Sequence, residues 1–322
     1  MADTKVETAV ILAAGNGSRL RPFTNYIPKT MVLYRDKPLM YHHIMNSYKD
    51  GIKDIIVITR RDEEGNYSFK FQNDYVKNLE KELKRTDPEV KIKLVYQGED
   101  KDLKKPKGPA NAVAMAEKEL KDRPYAVLLG DNLIISKDKG AESLLKKLMK
   151  EFDGNIMYSA ENLDKETARN CGFVKGKKTY GLDNILIDTK EAIEKPTEDT
   201  IREKFGLKDS YDVMAGGLYI FNEKSINYLK DVKPGTNNEM HLTDAINNQI
   251  RDSESKAFGL IVKKDQYTTA DFGRVESWLS INLREENVKK FVEGVRIYSP
   301  ELRDLIYSKA MELFGVDLRK IE

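Results

Sequence analysis

The chain has one cysteine, one tryptophan and three histidines in 322 residues, and each shortage removes a class of protein. A lone Cys171 cannot close an intramolecular disulfide. His42 and His43 sit side by side on an expected helix with no cysteine or acidic residue at ligand spacing, so no zinc site is expected. Lys and Arg number 55 against 53 Asp and Glu, which leaves no global field to attract nucleic acid or an anionic membrane surface. No apolar run approaches the roughly 20 residues that span a bilayer, and the N-terminus lacks the layout of an export signal. Internal repeats and low-complexity segments are also missing. What remains is a globular chain with 40% hydrophobic residues. It is expected to be soluble and cytoplasmic and to fold as one large or two medium units.

The richest stretch is Ala9–Thr30, A-V-I-L-A-A-G-N-G-S-R-L-R-P-F-T-N-Y-I-P-K-T. Val10, Ile11 and Leu12 form the continuous apolar run of a strand buried on both faces. Gly15 and Gly17, separated by Asn16, let the backbone turn sharply and aim its N–H groups at one point, which favours an anion. Arg19, Arg21 and Lys29 add cations. A dinucleotide fingerprint would need a third glycine where Leu20 stands, and a Walker loop would need Gly-Lys-Ser/Thr. Both are absent, so this is a phosphate loop of another kind.

Downstream, helix signals over Pro38–Lys49 and a strand at Asp54–Thr59 complete a β-loop-α-β unit and predict a parallel sheet. An amphipathic helix is expected over Gln72–Arg85, a strand over Lys91–Gln97, a long loop from Gly98 to Gly108 of the size that is usually functional or mobile, and a helix over Ala110–Leu120. The strand Tyr125–Gly130 ends at Asp131. In an open α/β sheet the ligand crevice lies beyond the carboxyl ends of the strands, so Asp131 and the glycine loop should meet. After the helix Ala141–Phe152 and the strand Asn155–Ala160, shorter strands over Cys171–Lys177, Asn184–Glu194 and Val213–Phe221 suggest a partly antiparallel layer for a second substrate. Helices over Glu239–Arg251 and Arg274–Val292, a strand over Ala257–Val262 and a last helix over Pro300–Phe314 complete the chain. Trp278 falls at core spacing.

The pattern G-x-G-S-R-L-x-P-x-T-x-x-x-P-K resembles the signature of the sugar-1-phosphate nucleotidyltransferases. Further blocks stand in the family order across about residues 8–284: Gly108-Pro-Ala-Asn-Ala, Leu129-Gly-Asp, Glu194-Lys-Pro, Glu239 to Ile246, and Asp271. The resemblance implies a Rossmann-like, glycosyltransferase-A-like α/β fold, with a mostly parallel central sheet flanked by helices. It also implies a catalytic domain over 1–284, divided near residue 160 into nucleotide-binding and sugar-binding halves. Residues 285–322 would be a helical appendage suited to packing or subunit contact in a homo-oligomer.

The same resemblance implies roles. Arg19 would clamp nucleotide phosphates with its planar fork, and Lys29 would add a point charge, unless it is simply an exposed lysine. Ala13, Ala14, Gly15, Gly17 and Asp131 would contact the nucleotide, with Gln97 and the Gly108 backbone reading its base. Asp131 and Asp271 would hold Mg2+; the competing readings are a turn-forming Asp131 and an Asp271 that caps a helix. Gly172, Glu194, Gly216 and Glu239 would bind the sugar, and Lys195 its phosphate. Cys171 departs from the family, which usually has Tyr there. The block P-G-x-x-x-E-M-H-L-T-D-A-I points to the uridylyl-transferring branch, with UTP and glucose 1-phosphate as substrates. The alternatives are a thymidylyl-transferring enzyme that uses dTTP and a non-catalytic sugar-nucleotide-binding regulatory subunit.

Overall fold

A computed structural model describes residues 5–61, 67–97, 108–120, 122–138, 140–252 and 255–321. Of the loop expected from Gly98 to Gly108, everything before Gly108 lies outside the described residues. The N-terminal half supplies β1 (Thr8–Leu12), a small hairpin of β2 (Leu33–Tyr34) and β3 (Lys37–Pro38), then β4 (Asp54–Thr59), β5 (Lys91–Tyr96), β6 (Tyr125–Leu129) and β7 (Asn132–Ser136). The C-terminal half supplies β8 (Ile156–Asp164), β9 (Gly172–Tyr180), β10 (Ile185–Glu194), β11 (Ser210–Phe221), β12 (Ala257–Ile261) and β13 (Tyr267–Asp271).

Nine strands form one sheet in the order β5-β4-β1-β6-β11-β8-β12-β10-β9. Its first four strands are parallel, and Leu12 pairs with both Ile58 and Leu129, so β1, β4 and β6 end level with one another. Every residue of β1 is buried. Ala9 and Ile11 join one core cluster while Val10 and Leu12 join the other, as the two-residue period of a strand requires. Each large side chain buried this way contributes about 1.5–3 kcal/mol. The strands expected as an antiparallel layer are present, but they continue this same sheet rather than covering it.

Three expected elements differ in the fold. The strand ending at Gly130 is followed by β7, which pairs antiparallel with β13 in a ribbon of its own and sets Asn132 opposite Asp271. The helix expected over Ala110–Leu120 is two short helices, Pro109–Ala114 and Glu117–Leu120. The long helix after Arg274 is also two, Val275–Asn282 and Glu285–Val295. That break has a polar cause. Asn287 Nδ2 donates to the Ile281 carbonyl at 2.7 Å, taking an acceptor the helix would otherwise use. Asn282 turns inward to accept from Arg35 N at 2.8 Å and donate to the Leu33 carbonyl at 2.9 Å.

Residues beyond 284 share the main core. Phe291, Val295, Tyr298, Leu302 and Ile306 belong to the cluster that contains Ile11. Trp278 is fully buried, packs edge-on against Phe23 and Phe291, and donates its indole N–H to the Leu33 carbonyl at 2.8 Å. Among the described residues no helix is long and apolar enough to cross a membrane. Replacing Trp278 by Ala should lower unfolding free energy by about 3–5 kcal/mol, read as an earlier urea midpoint at unchanged slope.

Candidate active site

A cleft of about 1220 Å³ opens where the parallel strands end. Every residue given a catalytic, nucleotide, sugar or metal role from the sequence lines it except Ala13. Ala13 is fully buried; its N–H donates to the Ile58 carbonyl at 2.7 Å and its carbonyl accepts from Gln72 Nε2 at 3.2 Å. Its N–H is engaged by β4 and its carbonyl by the helix residue Gln72, so Ala14, not Ala13, reaches the cleft. Arg21 is exposed and does not line it.

The glycine loop folds down onto Lys29. Gly17 lies in the left-handed region at φ 60°, and a Cβ there would stand 2.7 Å from Thr24 Cγ2. Thr24 Oγ1 donates to the Gly17 carbonyl at 2.8 Å and pins the turn. A Cβ on Gly15 would come 2.8 Å from Lys29 Cε. Glycine is therefore required at Gly17 by its backbone conformation and close approach, while Gly15 leaves room for the Lys29 side chain; the next turn, Ser18–Leu20, presents Arg19.

Lys29 Nζ lies 2.9 Å from Asp131 Oδ2. Burial pushes the Asp131 carboxyl up, but the charge and hydrogen bond of Lys29, its own backbone N–H and Arg19 outweigh that and hold it below the usual carboxylate range. Asp271 comes from the neighbouring β13 strand. It does not cap the helix that follows, since Arg274 occupies that position and its side chain makes no capping bond. Asp271 Oδ1 instead accepts from Gly273 N at 2.7 Å.

Gly273 marks the meeting point. The place where its Cβ would stand is 2.9 Å from Asp271 Oδ1, 3.0 Å from an Arg19 guanidinium nitrogen and 3.0 Å from Asp131 Oδ2. Two carboxylates facing one open space suit a hard divalent cation whose other ligands are phosphate and water oxygens. Among the described residues no third His, Cys, Asp or Glu joins them.

Across the cleft, Thr243 Oγ1 donates to Glu194 Oε2 at 2.8 Å, while Glu194 Oε1 lies 3.4 Å from Lys195 Nζ and 3.9 Å from His241 Nδ1. Lys195 sits at φ 42° with its N–H bonded to the Cys171 carbonyl at 3.1 Å, a left-handed residue costing about 1–2 kcal/mol. Gly172 packs against this group, its would-be Cβ 3.0 Å from Thr243 Oγ1 and 3.2 Å from Glu194 Oε2. Burial, then Glu194, Asp271 and Glu161, push the Cys171 thiol up to about 11 against the pull of Lys195. The thiol therefore stays protonated and is no nucleophile at neutral pH.

Gln97 donates to Asn111 Oδ1 at 3.0 Å. Gly108, at φ 97°, lies so close to the opposite wall that a Cβ would be 2.6 Å from Met240 N, and Ala110 N donates to the Met240 carbonyl at 2.9 Å. Glu239 follows the left-handed pair Asn237 and Asn238. Gly216 and Gly217, at φ 74° and 63°, form the bulge that interrupts β11 beside Leu129 and Ile134. Sequence reasoning missed Gly273, Arg274 and His241, which all line the cleft. The D-F-G-R string held the first two, but only the ribbon pairing shows where they point. His43, weighed in the sequence only as a metal ligand, is buried with Nε2 3.3 Å from the Gly130 carbonyl, beside Asp131.

Residues 8–288 match the family model described as Nucleotidyl transferase. The UTP–glucose-1-phosphate uridylyltransferase of Bacillus subtilis (strain 168) is 29% identical over 302 residues, covering 90% of this chain and 97% of the relative. The enzyme of that name from Streptococcus pyogenes is 28% identical over 298 residues, covering 89% and 92%. A solved UDP-glucose pyrophosphorylase complexed with UDP-glucose superposes with a TM-score of 0.67 at 26% identity, covering 86% of this chain and 97% of that one.

Burial first, then His42 and Lys29, lower His43 to about 4, against the opposing pull of the Gly130 carbonyl and Asp131. Between pH 6.5 and about 4 the unfolded chain binds a proton here that the folded chain does not, so stability falls as pH falls through that window. This group alone should remove about 3 kcal/mol. Urea unfolding of His43→Gln beside the unsubstituted protein should show the variant with the flatter dependence.

Proposed function

The chain belongs to the nucleotidyl transferase family, and from that premise we propose that it transfers a uridylyl group from UTP to glucose 1-phosphate. The products would be UDP-glucose and pyrophosphate. The observation that carries the reading is the convergence of Arg19, Asp131 and Asp271 on the space above Gly273, with Glu194 and Lys195 across the same cleft. The similarity to the uridylyltransferases of Bacillus subtilis and Streptococcus pyogenes supports the choice of substrates.

In this reading a phosphate oxygen of glucose 1-phosphate attacks the α-phosphorus of UTP in line. The new P–O bond forms as the bond to the β-phosphate oxygen breaks, and pyrophosphate leaves with that electron pair. Such a transfer asks the protein for position and charge rather than covalent chemistry. Arg19 and the Gly15–Gly17 loop hold the triphosphate. Lys29 moves between Asp131 and a phosphate oxygen. Lys195 receives the sugar phosphate, while Glu194, Gly172, Gly216 and Glu239 orient the sugar. Gln97, its amide steadied by Asn111, and the Gly108 backbone face the base. Asp131 and Asp271 would hold Mg2+, which when bound supplies positive charge against the triphosphate oxygens.

Residues 1–284 form the catalytic part in this proposal, with 285–322 as its helical brace. Exposed Ile297, Met311 and Phe314 on that brace support self-association, and a cytoplasmic location completes the reading.

Pyrophosphate release should be fastest with UTP and glucose 1-phosphate in the presence of Mg2+. A preference for dTTP would overturn the uridylyl assignment, and no turnover with any sugar 1-phosphate would overturn the enzyme. Asp271→Ala should abolish turnover with an unchanged unfolding midpoint. Gly273→Ala should fold normally and lose roughly 100-fold in kcat, because its methyl group enters the space shared by the two carboxylates and Arg19.

A further inference from the structure

One carboxylate in the cleft has no role in the mechanism above. Glu161 lies on β8, paired opposite Val213 of β11. It is 7% exposed, it lines the cleft, and its Oε1 is buried with no hydrogen-bond donor. No ion pair to it occurs within 4.0 Å among the described residues. A buried acceptor without a donor loses its hydration and gains nothing in return, which disfavours the fold unless something arrives to fill it.

Its surroundings identify the kind of donor. Val213 pairs on its other edge with Phe173, the neighbour of Gly172, and Gly172 pairs with Glu194, so the sheet register sets Glu161 on the Glu194–Lys195 side of the cleft. Glu194 already accepts from Thr243 and faces Lys195 and His241. Glu161 Oε1 has no such partner, which leaves it the unpaired carboxylate oxygen on that wall.

We propose that Glu161 is a specificity-determining residue of the sugar side, accepting a hydrogen bond from one hydroxyl of the sugar 1-phosphate. This rests on the nucleotidyl-transfer reading and adds to it a second sugar-binding carboxylate beside Glu194. A buried charge-assisted bond of this type distinguishes a sugar that carries the hydroxyl from one that lacks it, because without the hydroxyl the acceptor stays unpaired.

The test is steady-state kinetics with UTP and glucose 1-phosphate, repeated with the 2-, 3-, 4- and 6-deoxy analogues. Glu161→Ala should raise KM for glucose 1-phosphate about 10- to 100-fold and leave KM for UTP within twofold. With one deoxy analogue, the unsubstituted enzyme should lose a similar factor and the variant should lose nothing further. Glu161→Gln, which keeps an acceptor oxygen, should recover most of the affinity. If Glu161→Ala does not fold, Glu161→Gln and the unsubstituted enzyme are compared over the same analogues, and a changed discrimination confined to one hydroxyl supports the assignment. An unchanged KM for the sugar phosphate, equal penalties across all analogues, or a KM for UTP that rises in step would overturn it. An unsubstituted enzyme inactive on UTP with every sugar 1-phosphate is a separate result, and it refutes the function rather than the residue.

Discussion

The ion pair between Lys29 and Asp131 is the contact on which the cleft depends. It ties the end of the glycine loop to the end of β6, two segments about a hundred residues apart in sequence. Two charges this shielded from water add little net stability, because desolvation offsets most of their attraction. Their value is positional. Each holds the other in place at the mouth of the cleft, so the two charges are pre-positioned without any movement of the backbone. The surroundings agree with that role. His43 supports the Gly130 carbonyl, and Gly15 and Gly17 give Lys29 room to reach across.

The support extends to the far end of the chain. Tyr298 donates to the Met31 carbonyl at 2.6 Å, Trp278 and Asn282 both donate to the Leu33 carbonyl, and Arg35 bonds Asn282 and Asn287. A Cβ on Gly294 would stand 2.6 Å from the Asp36 backbone. The segment that follows Lys29 is therefore clamped from the C-terminal side, and the last helices fix the geometry of a loop formed by the first thirty residues.

Local patterns in the sequence revealed much of this, and pairing revealed the rest. The apolar run Val10–Leu12, the glycine turn and the strand ending at Asp131 were legible because each depends on neighbours within a few residues. The ribbon of β7 and β13 was not. No element was expected over Asn132–Ser136, and it is its partner, over 130 residues later, that makes it a strand outside the main sheet. The broken helix after Arg274 escaped for the same reason, since Asn282 and Asn287 look like tolerable helix residues until their carbonyl and amide partners are known. Glu161 is the extreme case. A glutamate in a strand is unremarkable by sequence, and its significance is a missing partner, which no pattern of neighbours can report.

The contact between Gly108 and Met240 joins the segment proposed to read the base to the segment proposed to hold the sugar. Neither half of the cleft can be reshaped alone, because a side chain at 108 would displace Met240 and move Glu239 with it. Base and sugar sites placed on these two segments would be mechanically coupled, since a substitution that moves one wall moves the other.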